Sequence, residues 1–159
     1  MRLISLNSDN FFSNFTSLVP LMANPTPNKS TDLSSFNLPL TVKLLPYQVF
    51  SKKALSYADI LITITNTSTK TVEVEITQLL VVTSENNQVL MSSTPQELAL
   101  PSKLSLESGE TRVLEYRLKS ESTLYQRGQE VMALIHYRQN NQPEAVVESK
   151  AEQAAFITH

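Results

Sequence analysis

The side chains that could do chemistry in this chain are few, and their spacing does not assemble them. There are two histidines. His136 lies within "VMALIHYR", between Ile135 and Tyr137, and His159 is the last residue. Neither has a histidine or carboxylate partner at metal-ligand spacing, so His136 reads as an ordinary strand residue facing the other sheet or solvent. Glu73 and Glu75 stand two apart, which puts both carboxylates on one face of a strand. Paired carboxylates can share general acid–base work. With Lys70 and Lys119 in the sequence, the pattern reads instead as a solvated polar face. Serine and threonine are plentiful, but no G-x-S-x-G elbow occurs. Two glycines cannot build a phosphate-cradling loop. Cysteine is absent, which removes a thiolate nucleophile, a disulfide framework and a Cys-based zinc site. The expectation is no catalytic residue, no metal and no cofactor.

The elements that could position any site come next. At 159 residues, 41% hydrophobic and 18% charged, the chain is long enough for one globular domain with a real core. The formal charge is −2 and no basic stripe occurs, so nucleic acid is not an expected partner. No run of 18 apolar residues marks a membrane span. Absence of cysteine fits a reducing or an oxidising compartment equally.

Composition divides the chain at about residue 38. Residues 1–37 are rich in Ser, Asn, Thr and Pro and hold no sustained period, which reads as a flexible N-terminal arm. Its start, "MRLISLNSDNFFSNFTSLVPLMA", has the order of a secretory signal: one arginine, an apolar patch and a small residue, Ala23. Asp9, Asn10, Ser13, Asn14 and Pro20 dilute that patch. A cleaved or degenerate signal and a loosely ordered arm therefore both remain open. Asn14, Asn28 and Asn66 each begin a glycosylation triplet, a pattern common by chance in so Asn/Ser/Thr-rich a sequence.

From Leu38 to His159 the period is two. Ile60, Ile62 and Ile64 share one face of "DILITITNT", and Val72, Val74 and Ile76 share one face of "TVEVEITQLLVV", with Glu73, Glu75 and Thr77 opposite. Leu79 to Val82 is apolar on both faces, where the strand should bend or enter the core. Asn66 to Lys70 and Glu85 to Asn87 read as turns. Glu130 to Arg138 is apolar on nearly both faces, as a central strand should be. The spacing predicts about seven strands: 41–50, 58–65, 71–82, 88–91, 103–106, 111–119 and 130–138. A last strand begins near Ala145, although a helical stripe through Val147, Ala151, Ala154 and Ala155 is a competing reading of the tail. Short strands at regular spacing, with no ten-residue amphipathic helix between them, specify an all-β, immunoglobulin-like antiparallel β-sandwich. Gly109, in "LSLESGETRVLEYRL", sits where the chain must reverse and is expected at φ > 0.

The order of these features resembles the N-terminal immunoglobulin-like domain of the PapD-type periplasmic pilus chaperones. "YQVFS", "DILITITNTSTKTVEVEI", "SSTPQELALPSKLSLESGETRVLEYRL" and "STLYQRGQEVMALIHYR" carry the resemblance, over about Leu38 to Arg138. It implies a non-enzymatic protein-binding module in the periplasm or outside the cell, with cytoplasmic residence left open. The partner would be another protein, a pilus subunit or assembly component, held by strand addition at a sheet edge. Two departures stand out. Tyr47 and Gln48 occupy the place of the family's anchoring arginine, and Lys150 is the nearest candidate for its anchoring lysine. The second domain of those chaperones has no counterpart here. The expected partner-binding residues are Leu44, Tyr47, Gln48 and Val49 on the first strand, with Val147 and Lys150 on the tail. The alternative function is an accessory or structural immunoglobulin-like subunit of a surface or secreted assembly.

Overall fold

Isoleucines every second residue, with leucine and threonine between them, can bury one row only if the chain is extended and a second sheet covers that row. The computed structural model, which describes residues 38–158, has that arrangement. The N-terminal arm, its signal-like segment, the triplets at Asn14 and Asn28, and His159 lie outside the described residues.

Among the described residues ten strands follow one another: β1 (Leu40–Phe50), β2 (Ala54–Thr65), β3 (Val72–Thr83), β4 (Val89–Ser93), β5 (Lys103–Leu106), β6 (Thr111–Ser120), β7 (Glu130–Gln139), β8 (Ala145–Glu148), β9 (Glu152–Gln153) and β10 (Ala155–Thr158). One sheet has the order β10-β1-β2-β6. The other has the order β4-β3-β7-β8, with β5 also on β3 and β9 on β7. The β1-β2-β6 and β3-β7-β8 groups reproduce the two-sheet arrangement of an immunoglobulin-like sandwich. Every pairing is antiparallel except that of β1 with β10. Ile60, Ile62 and Ile64 meet Val74, Ile76, Leu79, Val81 and Ile135 in the core, all at most 1% exposed.

Three departures from the sequence pattern have local causes. β2 begins four residues before the expected Ala58. Its inward row there carries Ser56 and Ala58, which blur the apolar period. The buried Ser56 is tolerated because its Oγ lies 2.7 Å from the Ser122 carbonyl and accepts the Leu124 N–H at 3.1 Å. In β3 the ladder to β7 shifts between Ile76 and Gln78. One extra residue reverses the parity, so even positions point inward before it and Leu79 and Val81 after it. That shift explains the doubly apolar run. The tail adds two strands beyond the expected one at Ala145, because β9 and β10 are too short and too exposed to show a period.

The turns are fixed by a few polar residues. Gly109 has φ +79°, and the Glu110 N–H returns to the Glu107 carbonyl at 3.0 Å, a type II turn. Gly128 has the same φ, with the Gln129 N–H on the Gln126 carbonyl. Asn66 joins two turns. Its Nδ2 donates to the carbonyls of Lys70, Leu106 and Glu107 at 2.7 to 3.1 Å, its Oδ1 accepts from Ser68, and its carbonyl accepts the Gly109 N–H. Asn66 is fully buried, so its amide is not available to a glycosylation enzyme in the folded domain.

Candidate functional site

The backbone itself makes the site. The Thr65 N–H donates to the Pro39 carbonyl, so residues of that parity on β1 bond toward β2. Leu40, Val42, Leu44, Pro46, Gln48 and Phe50 therefore turn their backbone groups to the opposite side. On that side β10 pairs in parallel over Tyr47 to Phe50 only. Among the described residues no strand pairs with the outer side of β1 from Leu40 to Leu44. Pro46, which has no N–H, sits where the covered and uncovered halves meet, the kind of edge position proline tolerates.

Beside the uncovered half lies a groove of about 440 Å³, lined by Thr41, Val42, Lys43, Leu44, Leu61, Thr63, Lys150 and Glu152. Lys43 and Lys150 are exposed there with Glu152. The chain reaches this place because the tail leaves β7 through β8 and β9 and then crosses to the other sheet as β10. Phe156 fastens the crossing. Its ring stacks on Phe50 with centroids 6.2 Å apart, and the Arg127 guanidinium lies 4.6 Å from its centroid.

The expected partner-binding residues separate into three groups. Leu44 and Lys150 line the groove together. Tyr47, Gln48 and Val49 lie under the paired half, between β2 and β10. Tyr47 stacks on Tyr57 on the outer face at 5.0 Å, and Val49 is half-buried there. Gln48 is 0% exposed, and its Oε1 accepts from the Tyr125 N–H at 3.2 Å and lies 3.1 Å from Ser56 Oγ. Its side chain holds the loop that precedes β7. Val147 belongs to β8 in the other sheet, opposite Ile135. The edge is thus open next to Leu44, not next to Gln48.

Two polar arrangements were not read from the sequence. Tyr125, only 2% exposed, donates its Oη to the Tyr57 carbonyl at 2.8 Å and ties the loop before β7 to β2. Burial pushes its phenol far above the ordinary range, which keeps it a donor. His136 Nδ1 lies 2.9 Å from Glu144 Oε2, and Glu144 also accepts from Thr77 Oγ1 at 2.7 Å. Burial opposes ionisation of Glu144, yet these hydrogen bonds outweigh it and hold the carboxyl below its ordinary value. The pair closes the β7–β8 hairpin, whose type I′ turn places Asn140 and Asn141 at φ 48° and 64°. Among the described residues no group of three or more histidine and carboxylate side chains could hold a metal ion. Nor is any helix among them long and apolar enough to cross a membrane.

No family model matches this chain, and no curated protein matches it. Solved structures similar to it include a structural-genomics target at 10% identity and TM-score 0.48, covering 76% of this chain and 88% of that one. A Bordetella pertussis protein provisionally named ApaA is similar at 16% identity and TM-score 0.45, covering 74% of this chain and 94% of its own. A protein from Archaeoglobus fulgidus is similar at 11% identity and TM-score 0.43, covering 74% and 98%.

Proposed function

We propose that this domain is a non-enzymatic protein-binding module. It takes an extended segment of a partner protein as an added strand on the Leu40 to Leu44 half of β1. The observation that carries the reading is the half-covered edge: among the described residues β10 occupies the row beside β1 only from Tyr47 onward, and no strand pairs beside Leu40, Val42 and Leu44. An added strand would gain main-chain hydrogen bonds there, and its alternate side chains would meet the groove with Lys43, Lys150 and Glu152. The resemblance to the pilus chaperones supports a partner of pilus- or fimbrial-subunit type in a periplasmic or extracellular setting. Lys150 lines the groove and is the candidate for the charged anchor.

Amide hydrogen exchange on the full chain tests this, with and without the segment that chemical cross-linking identifies as bound. The Leu40, Val42 and Leu44 amides should gain protection, and Val42→Pro, which deletes one edge donor, should weaken capture about tenfold or more. Unchanged exchange at these amides, or undiminished capture by folded Val42→Pro, overturns the reading. Lys150→Ala should weaken capture only if the anchor is used.

A further inference from the structure

Among the described residues no strand pairs with the opposite edge of the same sheet. β6 pairs with β2 from Thr111 to Ser120, in unbroken register and without a bulge. The Asn66 N–H donates to the Glu110 carbonyl, so even-numbered residues of β6 bond toward β2. Thr111, Val113, Glu115, Arg117 and Lys119 therefore display their N–H and C=O groups on the free side. They also carry their side chains on the outer face of the sandwich, where all five are exposed. A regular ten-residue edge with no proline is a template for another strand.

The sequence of this edge selects its own copy. In a two-fold antiparallel pairing, hydrogen-bonded pairs must join two outward-bonding residues. A two-fold axis at Tyr116 does this. It sets Glu115 opposite the partner's Arg117 twice, Val113 opposite the partner's Lys119 twice, and Leu114 opposite the partner's Leu118 on the inner face. An axis at Glu115 would oppose two glutamates, and one at Arg117 two arginines. An axis at Leu118 would set Arg117 against lysine, and one at Leu114 leaves Glu115 facing valine. Only the Tyr116 register joins opposite charges and opposes no like ones. Directly opposed charges of opposite sign favour a strand pair, and like charges oppose it.

Arg117 is held on the outer face by β2, and not all of its donors are used. Its Nε and Nη2 hold both Asp59 carboxylate oxygens at 2.6 and 2.8 Å, and its guanidinium lies 5.8 Å from the centre of the Tyr57 ring. That leaves further N–H donors for a second carboxylate. On the inner side, a cleft of about 270 Å³ between β4 and β6, lined by Leu90, Met91, Leu98 and Leu118, could take the partner's leucines. We propose that two copies of this chain join through β6, antiparallel about Tyr116, into one sheet that runs continuously through both sandwiches.

Sedimentation equilibrium of the full chain tests the dimer. The wild type should dimerise reversibly. Glu115→Arg and Arg117→Glu should each weaken dimerisation about tenfold or more, because each sets like charges opposite one another twice. An equimolar mixture of the two variants should recover dimers, since both contacts between positions 115 and 117 in the mixed pair are again between opposite charges. Val113→Pro removes one free-edge donor without touching the β2 ladder and should abolish dimerisation while the melt stays cooperative. This variant carries the test if Arg117→Glu, now beside Asp59, does not fold. A wild type that stays monomeric up to about 1 mM overturns the proposal. So do single variants that dimerise like the wild type, or a mixture of folded variants that fails to recover dimers.

Discussion

The two edges of the β10-β1-β2-β6 sheet present the same backbone problem and handle it by different means. Along β1 the unused groups alternate with groups bonded to β2, and the chain covers half of them with its own tail and interrupts the row with Pro46. Along β6 the same alternation runs for ten residues with no pairing strand among the described residues, and with glutamate, arginine and lysine on the outer face. The tail covers only part of the β1 edge, and a foreign strand is the occupant proposed for the rest. A fixed charge sequence reads only its complement, so the β6 edge suits a chosen register. Edge strands are specified as much by what lies beside them as by their own residues.

The sharpest way to break this comparison is proline scanning by parity. Leu114→Pro removes a bond to β2 and should cost about 3 kcal/mol or more. Val113→Pro removes only a free-edge donor and should cost about 1 kcal/mol or less. Lys43→Pro and Val42→Pro should show the same contrast on β1. Urea midpoints decide it, and equal costs at neighbouring positions would show that the assigned alternation is wrong.

The next effect concerns the end of the β6 edge. Asn66→Ala should cost about 2–3 kcal/mol, because the buried carbonyl of Leu106 and the part-buried carbonyls of Glu107 and Lys70 lose their donor. Denaturant melts would expose a smaller role if the loss stays under about 0.5 kcal/mol. A smaller loss, about 1 kcal/mol, is expected for Gly109→Ala and again for Gly128→Ala. A Cβ at either position meets nothing within 4 Å, so the cost is one of conformation alone. An unchanged urea midpoint would show that these turns accept a side chain at φ +79° without strain.

The smallest effect sharpens the tail side. Glu144 has a folded-state pKa below its ordinary value of 4.5, so its contribution is present above that pH and lost as pH falls through the folded value. Glu144→Gln should therefore lower stability near neutrality by well under about 1 kcal/mol, since the side chain is 36% exposed and solvent screens its contacts. The gap between variant and wild type should close toward pH 3. A gap that widens on acidification would reverse the assigned sign.

Legibility in the sequence followed side-chain period and failed where bonding is non-local. The rows Ile60–Ile62–Ile64 and Val72–Val74–Ile76 announce two strands and their buried faces. The bulge near Thr77 left a trace, the doubly apolar run after it, that pointed to a bend without naming its cause. The start of β2 was missed because Ser56 interrupts the row and is satisfied by residues far along the chain. Asn140-Asn141 was a readable hairpin signal, and it would have placed Glu144 near His136. The groove could not be read, since Leu44 and Lys150 meet only through a tail that changes sheets. Gln48 stands between the outward-facing Tyr47 and Val49 but turns inward, which alternation from Leu44 onward already implies.

The parallel pairing of β1 with β10 has a mechanical consequence. Tension applied between the start of β1 and the end of β10 would draw two parallel strands past each other, loading the bonds from Tyr47 to Phe50 together and in shear. Antiparallel neighbours pulled from a shared end would open one bond at a time. This short clamp, bolted by Phe156 on Phe50, should therefore set the force at which the sandwich first yields. Single-molecule pulling from Leu40 and Thr158 should show a first force peak that Phe156→Ala lowers. A peak indifferent to that change would place the resisting bonds elsewhere.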